Sequence, residues 1–96
     1  MFVLNIRITA KDDIQQIVDY YDEINKNISD VFLEELFTNL DHIRSNPFAF
    51  QKKYKNIRVC YLKSFSFGIH YRVIEKVIEV LAVLHTSRNP DMWNHL

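Results

Sequence analysis

The side chains best equipped for chemistry gather late in the chain: His70, Arg72, Glu79, His85 and Arg88, with Arg58 a little upstream. A His beside two Arg and a carboxylate could bind phosphate or assist phosphodiester cleavage, the guanidinium groups stabilising developing negative charge while the imidazole moves a proton. The same residues also describe a plain surface, with Arg72 and Glu79 as a cross-strand ion pair and two half-buried imidazoles. Both readings stay open on residue types alone. Metal chemistry finds less support. His42, His70, His85 and His95 have no short ligand spacing, and the chain contains neither HExxH nor CxxC, so no zinc site and no cofactor is expected. Met92 and Trp93, following Pro90, form a second candidate: an exposed anchor for a partner's pocket, or a ring folded back onto the chain's own sheet.

Regular elements must position these groups. Residues 2–8 alternate, with Leu4, Ile6 and Ile8 on one side and Val3, Asn5 and Arg7 on the other, the period of a strand. Thr9 and Asp12 have capping-box spacing, and Ile14, Ile17, Val18, Tyr21 and Ile24 recur at threes and fours, so a helix is expected from about Ala10 to Asn25. Asn27 can cap a second helix with the stripe Ile28, Phe32, Leu36, Leu40 and Ile43, widened by Leu33 and Phe37. Asn46-Pro47 ends it, because the residue before Pro avoids helical dihedrals.

Three further strands are expected near 56–62, 65–74 and 77–85. The middle one puts Phe65, Phe67, Ile69, Tyr71 and Val73 on one face and Ser66, Gly68, His70 and Arg72 on the other. A two-residue turn at Glu75-Lys76 then sets Ile74 opposite Val77, Val73 opposite Ile78, Arg72 opposite Glu79 and Tyr71 opposite Val80. Unbroken alternation along the last strand would carry Leu81, Val83 and His85 to the polar face beside Glu79. Two apolar residues there need a cover, supplied by the tail or by a partner. The face of Arg58 depends on whether the Lys63-Ser64 turn has two or three residues, and is left open. The order β-α-α-β-β-β gives an α+β domain, a mainly antiparallel four-stranded sheet with a helical hairpin on its apolar face. If the first two strands are neighbours, the hairpin between them makes them antiparallel.

With 96 residues the chain is expected to be one domain spanning 1–96, large enough for a single modest core. A content of 48% hydrophobic residues with one Gly and two Pro excludes a disordered chain. Cys60 has no second Cys to pair with, and the start of the chain has neither a basic leader nor a long apolar run, so a cytoplasmic protein without a membrane span is expected. The formal net charge is zero but segregated. Residues 1–48 hold four basic side chains against nine acidic ones, and residues 49–96 hold eight against three. Such asymmetry can mark a face for an anionic partner, or simply a solvated acidic helix surface beside a basic sheet. The segment Gln51-Lys52-Lys53-Tyr54-Lys55 mixes basic and aromatic residues, a weak nucleic-acid signal that a solvated loop would also give.

Across nearly its whole length the chain resembles the RelE/ParE family of toxins from bacterial toxin-antitoxin pairs. The resemblance runs from the opening strand through Ala10-Lys11-Asp12-Asp13-Ile14, Tyr20-Tyr21, Phe32-Leu33-Glu34-Glu35-Leu36, Asn46-Pro47 and Ile57-Arg58 to Ile69-His70-Tyr71-Arg72-Val73 and Val77 through His85. It implies a cognate antitoxin as protein partner, with Leu81 and Val83 as apolar residues for it to cover. Two activities divide such toxins. The RelE-like branch cleaves mRNA on the ribosome with basic residues on the sheet, which would here be Arg58, Arg72, His85 and Arg88. The ParE-like branch inhibits DNA gyrase by protein-protein binding. Ser66-Phe67-Gly68-Ile69 replaces the Gly-Asp-Tyr-Arg-like segment of the nucleases, no Tyr follows Arg88, and His85-Thr86-Ser87-Arg88-Asn89-Pro90 through Trp93 is similar to ParE-type endings. The ParE-like reading is therefore taken first, with Arg88, Trp93 and His85 as target contacts. A ribosome-dependent mRNA nuclease, and an antitoxin-binding relative without toxicity, are the alternatives.

Overall fold

The first strand, β1 (Val3–Ile6), turns its alternate residues Leu4 and Ile6 into the core and leaves Val3 exposed. Only Arg7 separates it from helix α1 (Ile8–Ile24). A second helix α2 (Lys26–Ser45), strands β2 (Lys52–Tyr54), β3 (Ile57–Tyr61) and β4 (Phe67–Ile74), and a last strand β5 (Val77–His85) complete the fold. The computed structural model describes residues 1–87; Arg88 and Trp93 lie outside them.

The result is the expected α+β architecture, with a helical hairpin packed on one face of a sheet. The sheet has five strands in the order β1-β5-β4-β3-β2. The added strand is the three-residue β2, too short for an alternation pattern to reveal. All pairs are antiparallel except β1 with β5, which is parallel. This last pairing follows from how α1 leaves β1. The Arg7 N–H still bonds the Val80 carbonyl at 3.0 Å, Thr9 then reaches Leu81, and Asp13 reaches Val83, so α1 advances along β5 in the direction β1 was already travelling. The hairpin returns the chain to the end where β1 began, and β3 starts there.

Local signals explain most boundaries. Asn46-Pro47 does end α2, and the Pro47 carbonyl accepts the buried Tyr71 hydroxyl at 2.6 Å. The cap of α2 is Asn25 rather than Asn27, its side chain accepting the Asn27 N–H at 2.9 Å. Thr9 does not cap α1 either: the helix starts earlier, at Ile8, and the Thr9 hydroxyl donates to the Leu81 carbonyl at 2.8 Å. The stripe Phe32, Leu36, Leu40 and Ile43 is buried as expected, but Phe37 and Ile24 are exposed at the margins of their helices. Tyr21, Phe32, Phe65 and Phe67 pack edge to face or tilted, with centroids 5.4–6.0 Å apart, a geometry in which each aromatic pair adds about 0.5–1.5 kcal/mol beyond area burial. Glu35 fixes the neighbouring β3–β4 loop by accepting the backbone N–H groups of Lys63 and Ser64 at 2.8 and 3.1 Å.

Candidate functional site

The β4–β5 register is the expected one from the turn up to Tyr71 opposite Val80, including Arg72 opposite Glu79. Arg72 Nε donates to Glu79 Oε1 at 2.8 Å, and Arg7 approaches the other carboxylate oxygen at 4.0 Å. Glu79 thus sits between two guanidinium groups on the face away from the helices.

Beyond that point the register slips. His70 pairs with Ala82 while Tyr71 pairs with Val80, leaving Leu81 as the extra residue of a β-bulge. A bulge reverses the alternation that follows, so Ala82 and Leu84 lie on the outer face with Tyr54, and Val83 enters the helix-side core. Leu81 and Val83 are 6% and 3% exposed. The expectation that both lie on the polar face, under the tail or a partner, is corrected: Val83 is packed within the protein's own core, and Leu81 is held at the bulge. Tertiary bonds fix this geometry. Here β5 has outrun β1, and its backbone groups are taken instead by Thr9, through the Leu81 carbonyl, and by Asp13, which accepts the Val83 N–H at 3.0 Å.

The bulge also moves His85. It stands opposite Phe67, their rings 5.3 Å apart and nearly perpendicular, on the helix side of the sheet and not beside Arg72 and Glu79 as expected. Its Nδ1 accepts the Ser87 N–H at 3.1 Å and lies 2.7 Å from the Ser87 hydroxyl. Together with Gln16, Tyr20 and Phe67 it lines a shallow recess of about 190 Å³.

Arg58, whose face the sequence leaves open, pairs with Tyr71 and therefore belongs to the helix side. Its guanidinium donates to the Phe50 carbonyl at 2.7 Å and to the Phe48 carbonyl at 3.5 Å, and lies 5.3 Å from the Phe48 ring centroid. It clamps the link between α2 and β2. The three described members of the supposed nuclease cluster, Arg58, Arg72 and His85, are thus not brought together. Arg72 is on one face, ion-paired; Arg58 and His85 are on the other. Their partners Tyr71 and Phe67 are four positions apart on β4, about 13 Å along the strand.

His70 was expected on the polar face and is there, but fully buried. Its Nδ1 is 2.9 Å from the Tyr54 hydroxyl. Burial lowers the His70 pKa to about 4 and raises that of Tyr54 to about 12, so the pair is neutral across the physiological range. A neutral, covered imidazole holds the edge strand β2 against the sheet and cannot meet a substrate. Burial likewise pushes the Cys60 thiol up to about 11, and its Sγ lies 3.5 Å from Asn39 Oδ1. Such a thiol stays protonated and unreactive.

Among the described residues no group of three or more His, Cys, Asp or Glu is placed to hold a metal ion, and no helix is long and apolar enough to cross a membrane.

A five-stranded sheet of this order, with a helical hairpin on one face, is a fold also seen in solved ParDE and RelBE structures. The model of a family described as ParE toxin of type II toxin-antitoxin system, parDE, matches residues 4–90, and the chain belongs to that family. Toxin ParE2 of Mycobacterium tuberculosis is 28% identical over 93 residues, covering 92% of this chain and 85% of the relative. A solved structure described as the chromosomal ParDE TA system from P. aeruginosa superposes with a TM-score of 0.80 at 20% identity, over 91% of this chain and 98% of that one. The intact E. coli RelBE toxin-antitoxin complex contains a chain matching with a TM-score of 0.64 at 17% identity, over 92% of this chain and 100% of that one. At these identities the structural matches speak for the fold.

Proposed function

We propose that this ParE-family toxin acts in the cytoplasm by binding DNA gyrase and is neutralised by a cognate antitoxin. The observation that carries the choice of target is the separation of Arg58, Arg72 and His85. A ribosome-dependent nuclease would need its cations and its proton-transfer group around one scissile phosphate. Here two faces of the sheet divide them, and Glu79 neutralises Arg72. Binding to a protein target asks for no such cluster. A large apolar surface with a fixed charge is enough, and Trp and Arg are the side chains most enriched at hot spots. Arg88 and Trp93 are the proposed contacts, with His85 at the rim, on the strength of the sequence ending. Support for the antitoxin comes from membership of a type II toxin-antitoxin family and from the similar ParDE and RelBE structures, both from toxin-antitoxin systems.

The test uses purified full-length chain in two assays, gyrase supercoiling and mRNA cleavage on ribosomes. Inhibited supercoiling with intact mRNA is expected, and Arg88→Ala or Trp93→Ala should relieve the inhibition without changing the melt. Cut mRNA with supercoiling untouched would overturn the reading. Co-expression with the product of the neighbouring gene should restore growth and supercoiling.

A further inference from the structure

We propose that the end of the molecule where β1 begins is a binding surface for single-stranded nucleic acid, with backbone phosphates on Arg44 and Lys76 and a base stacked on Phe48. The proposal concerns a surface away from the Arg72–Glu79 pair and from the His85 recess, and does not depend on gyrase being the target.

Four segments meet there: the start of β1 with Phe2, the last turn of α2 with Arg44 and Ser45, the α2–β2 link with Phe48, and the β4–β5 turn with Lys76. Their side chains form a row. The Lys76 ammonium is 5.2 Å from the Phe2 ring centroid, Phe2 meets Phe48 at 5.8 Å and 76°, and the Arg58 guanidinium lies 5.3 Å from Phe48. An open notch of about 450 Å³ between Met1, Phe2, Arg44 and Ser45 adjoins the row.

Phe48 is 57% exposed, although the link that carries it is firmly held. Pro47 is bonded by Tyr71, and Arg58 takes the carbonyls of both Phe48 and Phe50. A pinned loop presenting a half-open ring is a preorganised stacking platform. Neither Arg44 nor Lys76 has a carboxylate at ion-pair distance among the described residues, although Asp41 and Glu75 are near them in sequence. The acidic side chains of the first 48 residues all belong to the helical hairpin, and only Asp41, one turn before Arg44, lies near this end of it.

Cations beside an exposed aromatic ring match what single strands offer, phosphates with unstacked bases. A duplex keeps its bases stacked and presents phosphates alone. An acidic peptide presents charge with no π-face.

The test is fluorescence anisotropy of a labelled decathymidine strand titrated with full-length chain, beside a DNA duplex of equal length and polyglutamate. DNA probes keep ribonuclease activity out of the reading. The decathymidine should bind best, and its log K should fall with log salt by about 0.7 for each phosphate neutralised. Phe48→Ala should weaken binding roughly fivefold to a hundredfold, since a stacked base contributes about 1–3 kcal/mol, and Phe48→Trp should retain it. Arg44→Glu and Lys76→Glu, both at exposed positions, should reduce the salt slope. No binding of decathymidine, equal binding of duplex or polyglutamate, or a Phe48→Ala variant with unchanged melt and unchanged affinity would each overturn the proposal.

Discussion

Asp13 on α1 accepts the backbone N–H of Val83 on β5 at 3.0 Å, across 70 positions of sequence. A helix side chain thereby does what a neighbouring strand would do, at the place where β1 has ended and the bulge has turned Val83 inward. Asp13→Ala leaves that half-buried N–H without its carboxylate. It should lower stability by about 1–3 kcal/mol, the usual penalty for a buried donor left unsatisfied. Asp13→Asn keeps an acceptor oxygen and should lose less. Urea melts of the three proteins decide it, and equal midpoints would show that the bond does not hold the strand.

Gly68 is required by close approach and not by its backbone angles. A Cβ there would stand 2.7 Å from Val59 Cγ1 and 3.2 Å from the Tyr61 ring. Val59 is 3% exposed and has little room to move. Gly68→Ala should therefore cost about 1–3 kcal/mol, as overpacking in a filled site does. In a double-mutant cycle Val59→Ala should offset part of that loss, because the deleted methyl groups free the space the new one needs. Strictly additive effects would place the strain elsewhere.

The sequence revealed what depends on local pattern, and missed what depends on a single inserted residue. Alternation in β4 and the Glu75-Lys76 turn gave the Arg72–Glu79 register, because core must match core on both sides of a tight turn. The run Val80-Leu81-Ala82-Val83-Leu84 is apolar at every position, so nothing in it marks where the alternation breaks. Leu81 as a bulge moved Val83 and His85 to the other face, and the imagined cluster went with them. Thr9 and Asp13 bond β5 in place of capping α1, and their residue types alone do not tell such a bond from a cap or a solvated side chain. Tyr54 was hidden for a different reason. Its partner His70 lies 16 positions away, and a three-residue edge strand has no periodicity of its own.

The Arg72–Glu79 ion pair separates stability from function. Its side chains remain 39% and 24% exposed, and pairs this open to solvent contribute about 0–1 kcal/mol. Glu79→Ala should thus shift a melt only slightly, although it leaves Arg7 and Arg72 facing each other without their shared carboxylate. Arg72→Ala should leave supercoiling inhibition intact. Its loss, with a normal melt, would put Arg72 in the target interface.

His70 makes stability depend on pH. Burial takes its folded-state pKa from an ordinary 6.5 down to about 4, so between those values the unfolded chain binds a proton that the folded one refuses. Its contribution is accordingly complete above pH 6.5 and is lost as the pH falls toward 4. A shift of this size corresponds to roughly 3 kcal/mol at most, at 1.36 kcal/mol per unit. Carboxylates also titrate near the lower end of that window, so the difference between two proteins is the informative quantity. His70→Gln, which cannot take up the proton, should be less stable than the parent at pH 7, where it lacks the imidazole bonded to Tyr54. The gap should narrow as the pH approaches 4.5. Chemical melts at half-unit intervals measure it, and parallel curves for the two proteins would mean that His70 is not held neutral by the fold.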